Sequence, residues 1–278
     1  MIPSLNPTIV GQMPLEEFVR TAGRVGYGGA DLNIHAAAEM AERKGVEAVR
    51  KLFDSAGVRP AAFGLPVDFR ASEERFQAGL AELPALCELA VALDCPRTCT
   101  WIMPGSDELD YEKNMAFHVS RLRPVMDILR DHGVRFGIEF VAPAHVRQGK
   151  KYEFIHTIAG ALELADRLGE GAGLLLDSFH WFTSGATVDD LLALGRERIV
   201  HVHVNDAPDR PLAEQRDNER LLPGEGVIDL RGFLGALKQM GYRDFLSIEV
   251  LGPRPKEFEP EQAARRCLAG LHAILGQL

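Results

Sequence analysis

Glu139, Asp177, His203 and Glu249 each close a separate apolar run in the second half of this 278-residue chain. Ligands delivered one per strand, at the strand ends, are a way for a parallel barrel to build a cation site. Any one of these residues alone reads as well as a solvated or ion-paired side chain. The set reads differently, because three carboxylates converging on a histidine repel one another unless a cation holds them. The expectation is therefore one divalent metal ion held by Glu139, Asp177, His203 and Glu249. Oxygen donors favour Mn2+ or Mg2+, and the imidazole admits Zn2+ or Co2+.

Further polar residues fall near the same strand ends. His180 follows Asp177 by three residues, where a titratable imidazole is suited to hold a substrate hydroxyl. His201 shares a strand face with His203 one layer lower and reads as a packed donor rather than a ligand. Asn6, in the first strand, and His35, after the second, are expected to point into the same mouth as substrate-binding residues. Trp101 reads as a core or rim aromatic, and Glu225 and Asp229 as residues that shape a loop and start a helix.

These side chains need regular carriers. Short β-like runs at 5–10, 29–34, 60–64, 97–102, 135–140, 172–177, 199–205 and 245–250 alternate with stretches of helical period at 14–25, 36–56, 72–93, 111–132, 152–168, 187–194, 230–240 and 259–275. Apolar residues recur three and four apart, as in Leu122, Val125, Met126 and Leu129, so each helix has a face to lay on a sheet. Gly26, Gly57, Gly133 and Gly241 follow helical runs as C-terminal caps. Eight βα units predict a (β/α)8 TIM barrel spanning residues 1–278 as one domain, since no linker or composition shift divides the chain. In that fold the chemistry sits at the C-terminal ends of the strands, where all four ligands fall. The segment 206–227 is long for a neutral connection and is expected to serve the site.

Composition narrows the partners. With 46% hydrophobic and 26% charged residues the chain is an ordinary globular one, and no apolar run approaches the roughly 18 residues of a membrane span. A net charge of −9 argues against broad affinity for nucleic acid. The four cysteines form no disulfide framework and no zinc-finger spacing, and no secretory signal precedes the first run, so a cytoplasmic location and reduced thiols are expected. Composition leaves a homo-oligomer open.

The segments GIEF (137–140), LLLDSFHW (174–181), VHVND (202–206), PGEGVID (223–229) and SIEV (247–250) together resemble the xylose isomerase-like TIM-barrel superfamily, and within it the inosose isomerase branch. The resemblance implies the same four metal ligands, a substrate-binding or catalytic role for His180, and a substrate contact for Arg220, the arginine ahead of Pro223-Gly224. It also implies that Glu139 and Glu249 double as catalytic base and acid, interconverting a keto-polyol, an inosose or a sugar, through an enediolate. The same enediolate can expel a hydroxyl, which makes a dehydratase of the inosose or 3-dehydroshikimate type the principal rival. An abasic-site endonuclease of the same barrel class fits less well, lacking the rich histidine set and basic groove, and a non-catalytic metal-binding barrel is the remaining alternative.

Overall fold

A strand that reads as an apolar run, such as Leu174 to Leu176, is satisfied only in a sheet covered on both faces. The computed structural model, which describes residues 1–278, supplies that sheet. Its strands are β1 (Ile2–Leu5), β2 (Gly29–Ala30), β3 (Arg59–Pro60), β4 (Phe63–Gly64), β5 (Arg97–Ile102), β6 (Gly105–Ser106), β7 (Arg135–Phe140), β8 (Tyr152–Glu153), β9 (Ala172–Asp177), β10 (Ile199–Val204) and β11 (Phe245–Ile248). Nine of them form one parallel sheet in the order β3-β2-β1-β11-β10-β9-β7-β5-β4. Its two ends are pieces of a single stave. Arg59–Pro60 pairs with β2 and Phe63–Gly64 pairs with β5, so the stretch 59–64 closes the ring and leaves eight staves. The expected TIM barrel is the fold of this chain.

Register sets the site. His203 lies beside Asp177 on one neighbour and Ser247 on the other, while Glu139 lies beside Trp101. Gly137, two residues before Glu139, has no room for a side chain: a Cβ there would meet Cys99 Sγ at 2.7 Å and the Leu175 backbone nitrogen at 3.2 Å. The outer helices bury the faces their periodicity marked, with Leu122, Val125, Met126 and Leu129 all packed inside. Gly57 ends the helix Val46–Ala56 at φ 66°, a backbone conformation that costs other residues strain.

The departures from expectation cluster in the first third. Residues 5–10 are not a strand: β1 ends at Leu5, and Asn6 caps the helical turn Pro7–Val10 by accepting from the Thr8 N–H at 2.9 Å. Pro7, with no N–H to donate, suits the first helical position. The run 29–34 stops after Ala30 because Asn33 caps the helix Ile34–Lys44. The single helix expected over 36–56 is two, divided at Gly45. Tyr152–Glu153, expected as helix, instead pairs antiparallel with β6, and the helix Ile158–Leu168 begins behind the Thr157 cap. No helix is long and apolar enough to cross a membrane.

Candidate metal centre

Four neighbouring staves deliver the four expected ligands. Glu139 is the penultimate residue of β7, Asp177 ends β9, His203 is the penultimate residue of β10, and Glu249 follows β11 with its N–H donated to Val204 O at 3.2 Å. One ligand atom from each lies within 4.8 Å of all the others. His203 Nδ1 sits 3.6 Å from Glu139 Oε1, 3.8 Å from Asp177 Oδ2 and 3.4 Å from Glu249 Oε2. These distances exceed ordinary hydrogen bonds, and Glu139 Oε1 and His203 Nδ1 are both buried without a hydrogen-bond partner. A buried carboxylate oxygen and an imidazole nitrogen without partners, each able to offer a lone pair 3.6 Å from the other, are what a divalent cation would satisfy, so the residues fit one.

Burial and charge separate the two glutamates. Desolvation pushes the Glu139 carboxyl above the usual range, only partly offset by its contact with His203. For Glu249 burial works in the same direction, but His203 and Arg220 outweigh it and hold the carboxyl down at about 2. His203 is the converse: burial disfavours its charge, while Glu249 and Glu139 raise its pKa well above the ordinary imidazole value.

Arg220 binds this cluster from behind. It is fully buried, with Nη1 2.9 Å from Asp177 Oδ2 and 3.0 Å from Glu249 Oε2, Nη2 2.7 Å from Asp217 Oδ1, and its guanidinium 5.1 Å from the Phe179 ring centre. A bidentate, stacked arginine in such a place is a rigid countercharge. Its Nη2 lies 3.2 Å from His180 Nε2, and His180 Nδ1 accepts from the Ala142 N–H at 3.4 Å. Asp217 Oδ1 stands 3.8 Å from the same Nε2. Asp177 is fixed as well: it caps the helix Ser178–Thr183 through the Phe179 and His180 N–H groups and accepts twice from Asn205 Nδ2.

A cavity of about 450 Å³ opens over the ligands, and Glu139, His203 and Glu249 form part of its lining. Asn6, His35 and Trp101 line it too, whereas His180 and Arg220 are buried away from it, behind Asp177. Trp101 is a rim residue, 44% exposed, with the Arg70 guanidinium 4.5 Å from its ring and 4.2 Å from that of Phe69. The segment 206–227 is anchored by Asp206, whose carboxylate accepts from the N–H groups of Ala207, Gly224, Gly226 and Ile228 at 2.9 to 3.0 Å. Gly226 is obligatory in that turn, since a Cβ would lie 2.1 Å from Ala207 O. Asp229 caps the helix Leu230–Gln239, and Glu225 accepts from the Leu222 N–H and pairs with Arg254 at 2.7 Å.

Sequence reasoning did not single out Asp31, Asn205 or Asp217. Asp31 directly follows β2, lines the cavity, and has a lowered pKa: burial raises it, but His201 more than compensates. The strand-end rule that found Glu139 would have found Asp31 had β2 been read to its true end. Asn205 has no comparable signal, because its partner Asp177 is distant in the chain, and Asp217 pairs with Arg220 three residues on inside an irregular segment that has no strand end to mark it.

Fold and cluster together define a parallel eight-stave barrel with four side chains at its C-terminal mouth that could hold a cation. The model of the xylose isomerase-like TIM barrel family matches residues 19–271, and the chain belongs to that family. The structure of a xylose isomerase domain protein from Alicyclobacillus acidocaldarius is 34% identical, with a TM-score of 0.92 over 99% of this chain and 98% of that one. The structure of IolI with a bound zinc atom shares the fold at 22% identity, with a TM-score of 0.82 over 100% and 99% of the two chains. By sequence, an inosose isomerase of Halalkalibacterium halodurans is 25% identical over 222 residues, 79% of this chain and 76% of that protein. A 3-dehydroshikimate dehydratase of Pseudomonas aeruginosa is 33% identical over 157 residues, 55% of this chain and 23% of that one.

Proposed function

We propose that this chain is a divalent-metal-dependent isomerase or epimerase of a keto-polyol, an inosose or a sugar, acting through an enediolate. The observation that carries the reading is the convergence of Glu139, Asp177, His203 and Glu249 within 4.8 Å beside a cavity of about 450 Å³, large enough for a six-carbon polyol. A divalent ion held there, Mn2+ or Mg2+ by donor type and zinc by analogy with IolI, would polarise a carbonyl and its neighbouring hydroxyl and acidify the C–H between them.

The protein's own groups supply the proton traffic. Glu139 and Glu249 reach the cavity from different strands, so one can take the proton from carbon while the other returns it. The two differ in setting: burial pushes the Glu139 carboxyl above the usual carboxylate range, whereas His203 and Arg220 keep Glu249 ionised. Arg220 and Asn205 keep Asp177 and Glu249 in place, and His180 lies against Arg220 behind them, away from the substrate cavity.

Incubating the Mn2+-loaded protein with an inosose in deuterated water tests the reading. Solvent deuterium at carbon in an isomeric product supports it. An unsaturated product in its place would make the chain a dehydratase, and absence of turnover on every keto-polyol would favour the non-catalytic barrel.

A further inference from the structure

Asp31 is a second carboxylate in the same cavity that the four-ligand site does not use. Its oxygens accept from Ser4 Oγ at 3.2 Å, from Asn6 Nδ2 at 2.7 Å and from Ser247 Oγ. These donors come from β1, the turn after it, and β11, and all are neutral. The side chain is 13% exposed, and its nearest cationic candidate, His201 Nε2, stands 3.7 Å away, beyond hydrogen-bond reach. His201 is 1% exposed, lines the cavity, and neither of its ring nitrogens has a hydrogen-bond partner. The protein thus keeps a carboxylate and an unpartnered imidazole side by side on the cavity wall at a cost in desolvation.

An ionised carboxylate offers about four acceptor positions. The two serines occupy Oδ1 and Asn6 occupies one position on Oδ2, so one position on Oδ2 is left. The adjacent imidazole can donate. An alcohol is the group that donates one hydrogen bond and accepts another at a single oxygen, so it completes both partners at once. The neighbouring metal ligand His203, whose ring centre is 5.3 Å from that of His201, sets the offset: the alcohol lies beside the reacting carbons, not on them.

We propose that Asp31 and His201 form a specificity-determining subsite that takes one hydroxyl of the polyol substrate away from the carbons undergoing proton transfer. This rests on the keto-polyol reading given above. A second cation is the rival occupant, because Asp31, His201 and His203 also bring ligand atoms within 4.8 Å of one another. The alcohol is favoured by the three donors already on Asp31 and by His203, whose Nδ1 belongs to the first cluster.

The test compares kcat/KM of the Mn2+-loaded wild type, Asp31→Asn and His201→Gln on an inosose and on its monodeoxy analogues, with bound metal counted by mass spectrometry. The subsite predicts one metal ion per chain in all three proteins and a loss of about 10²-fold for Asp31→Asn on the parent substrate, since a site built for a hydroxyl discriminates strongly. It also predicts one deoxy analogue that the wild type rejects but on which neither substitution costs anything further. Losses of the same factor on every analogue would overturn the subsite, as would two metal ions in the wild type falling to one in Asp31→Asn. A wild type inert on all keto-polyols would instead remove the functional reading, and the subsite with it.

Discussion

The two sides of the barrel mouth are built by different means. On one side β7, β9, β10 and β11 are largely buried staves of four to six residues, and each presents a candidate ligand at or just past its end. On the other, β2, β3 and β4 are two residues each, and the cavity wall is made by residues beyond the strand ends: Asp31, Asn33, His35 and the turn after Asn6. Regular staves hold atoms to a few tenths of an ångström, as a cation site requires. Short staves with capped helices close behind them let a wall be reshaped without disturbing the ligands, as substrate choice requires. On the proposed reading the cation is held from one side of the mouth, while the polyol is met from both, by Asp31 and His35 on the short-strand side and His201 on β10.

The largest expected effect is on the regular side. Glu249→Gln should lower kcat by about 10³-fold or more, measured as deuterium exchange into substrate, because it removes a ligand and a proton acceptor together. A variant that kept a tenth of wild-type turnover would place the chemistry elsewhere. Arg220→Met should come next. Removing the cation between Asp177 and Glu249 leaves two buried carboxylates unpaired and costs about 3–5 kcal/mol in chelator, read from urea unfolding. Added Mn2+ should restore part of that loss, and a loss unmoved by metal would show that Arg220 does not share its load with the ion.

Smaller effects are expected across the mouth. Asn33→Ala deletes the cap accepting from the Ala36 N–H and should cost about 1 kcal/mol while leaving metal content unchanged, so a metal-depleted variant would erase the distinction between the two sides. His35→Ala should raise KM by roughly three- to tenfold with kcat held, as loss of one exposed contact does. A fall in kcat alone would move His35 into the proton chemistry.

The same division explains how much could be read from residue order. The bounds of β5, β7 and β9 match those read from residue order and β10 differs by one residue; for β7, β9 and β10 the reason is that a stave buried on both faces has a pronounced pattern. The four ligands followed from these staves. On the short side the pattern fails: Leu5, Ile9 and Val10 are all buried, yet Asn6 and Pro7 turn the chain into a helix between them. Asp31 escaped for the same reason, since a two-residue strand has no periodicity to end. The depth of Arg220 was hidden too, because burial of an arginine depends on Asp177, Asp217 and Glu249 converging from three parts of the chain.

Everything proposed for this mouth depends on four staves holding one divalent ion there. A calorimetric titration of chelator-stripped protein with Mn2+ and Zn2+, with His203→Ala and Asp177→Asn alongside, tests that directly. One ion should bind per wild-type chain, and binding should weaken by about 10²-fold or more in each variant while both remain folded by circular dichroism. Wild-type protein that takes up neither ion, or variants that bind as the wild type does, would contradict it.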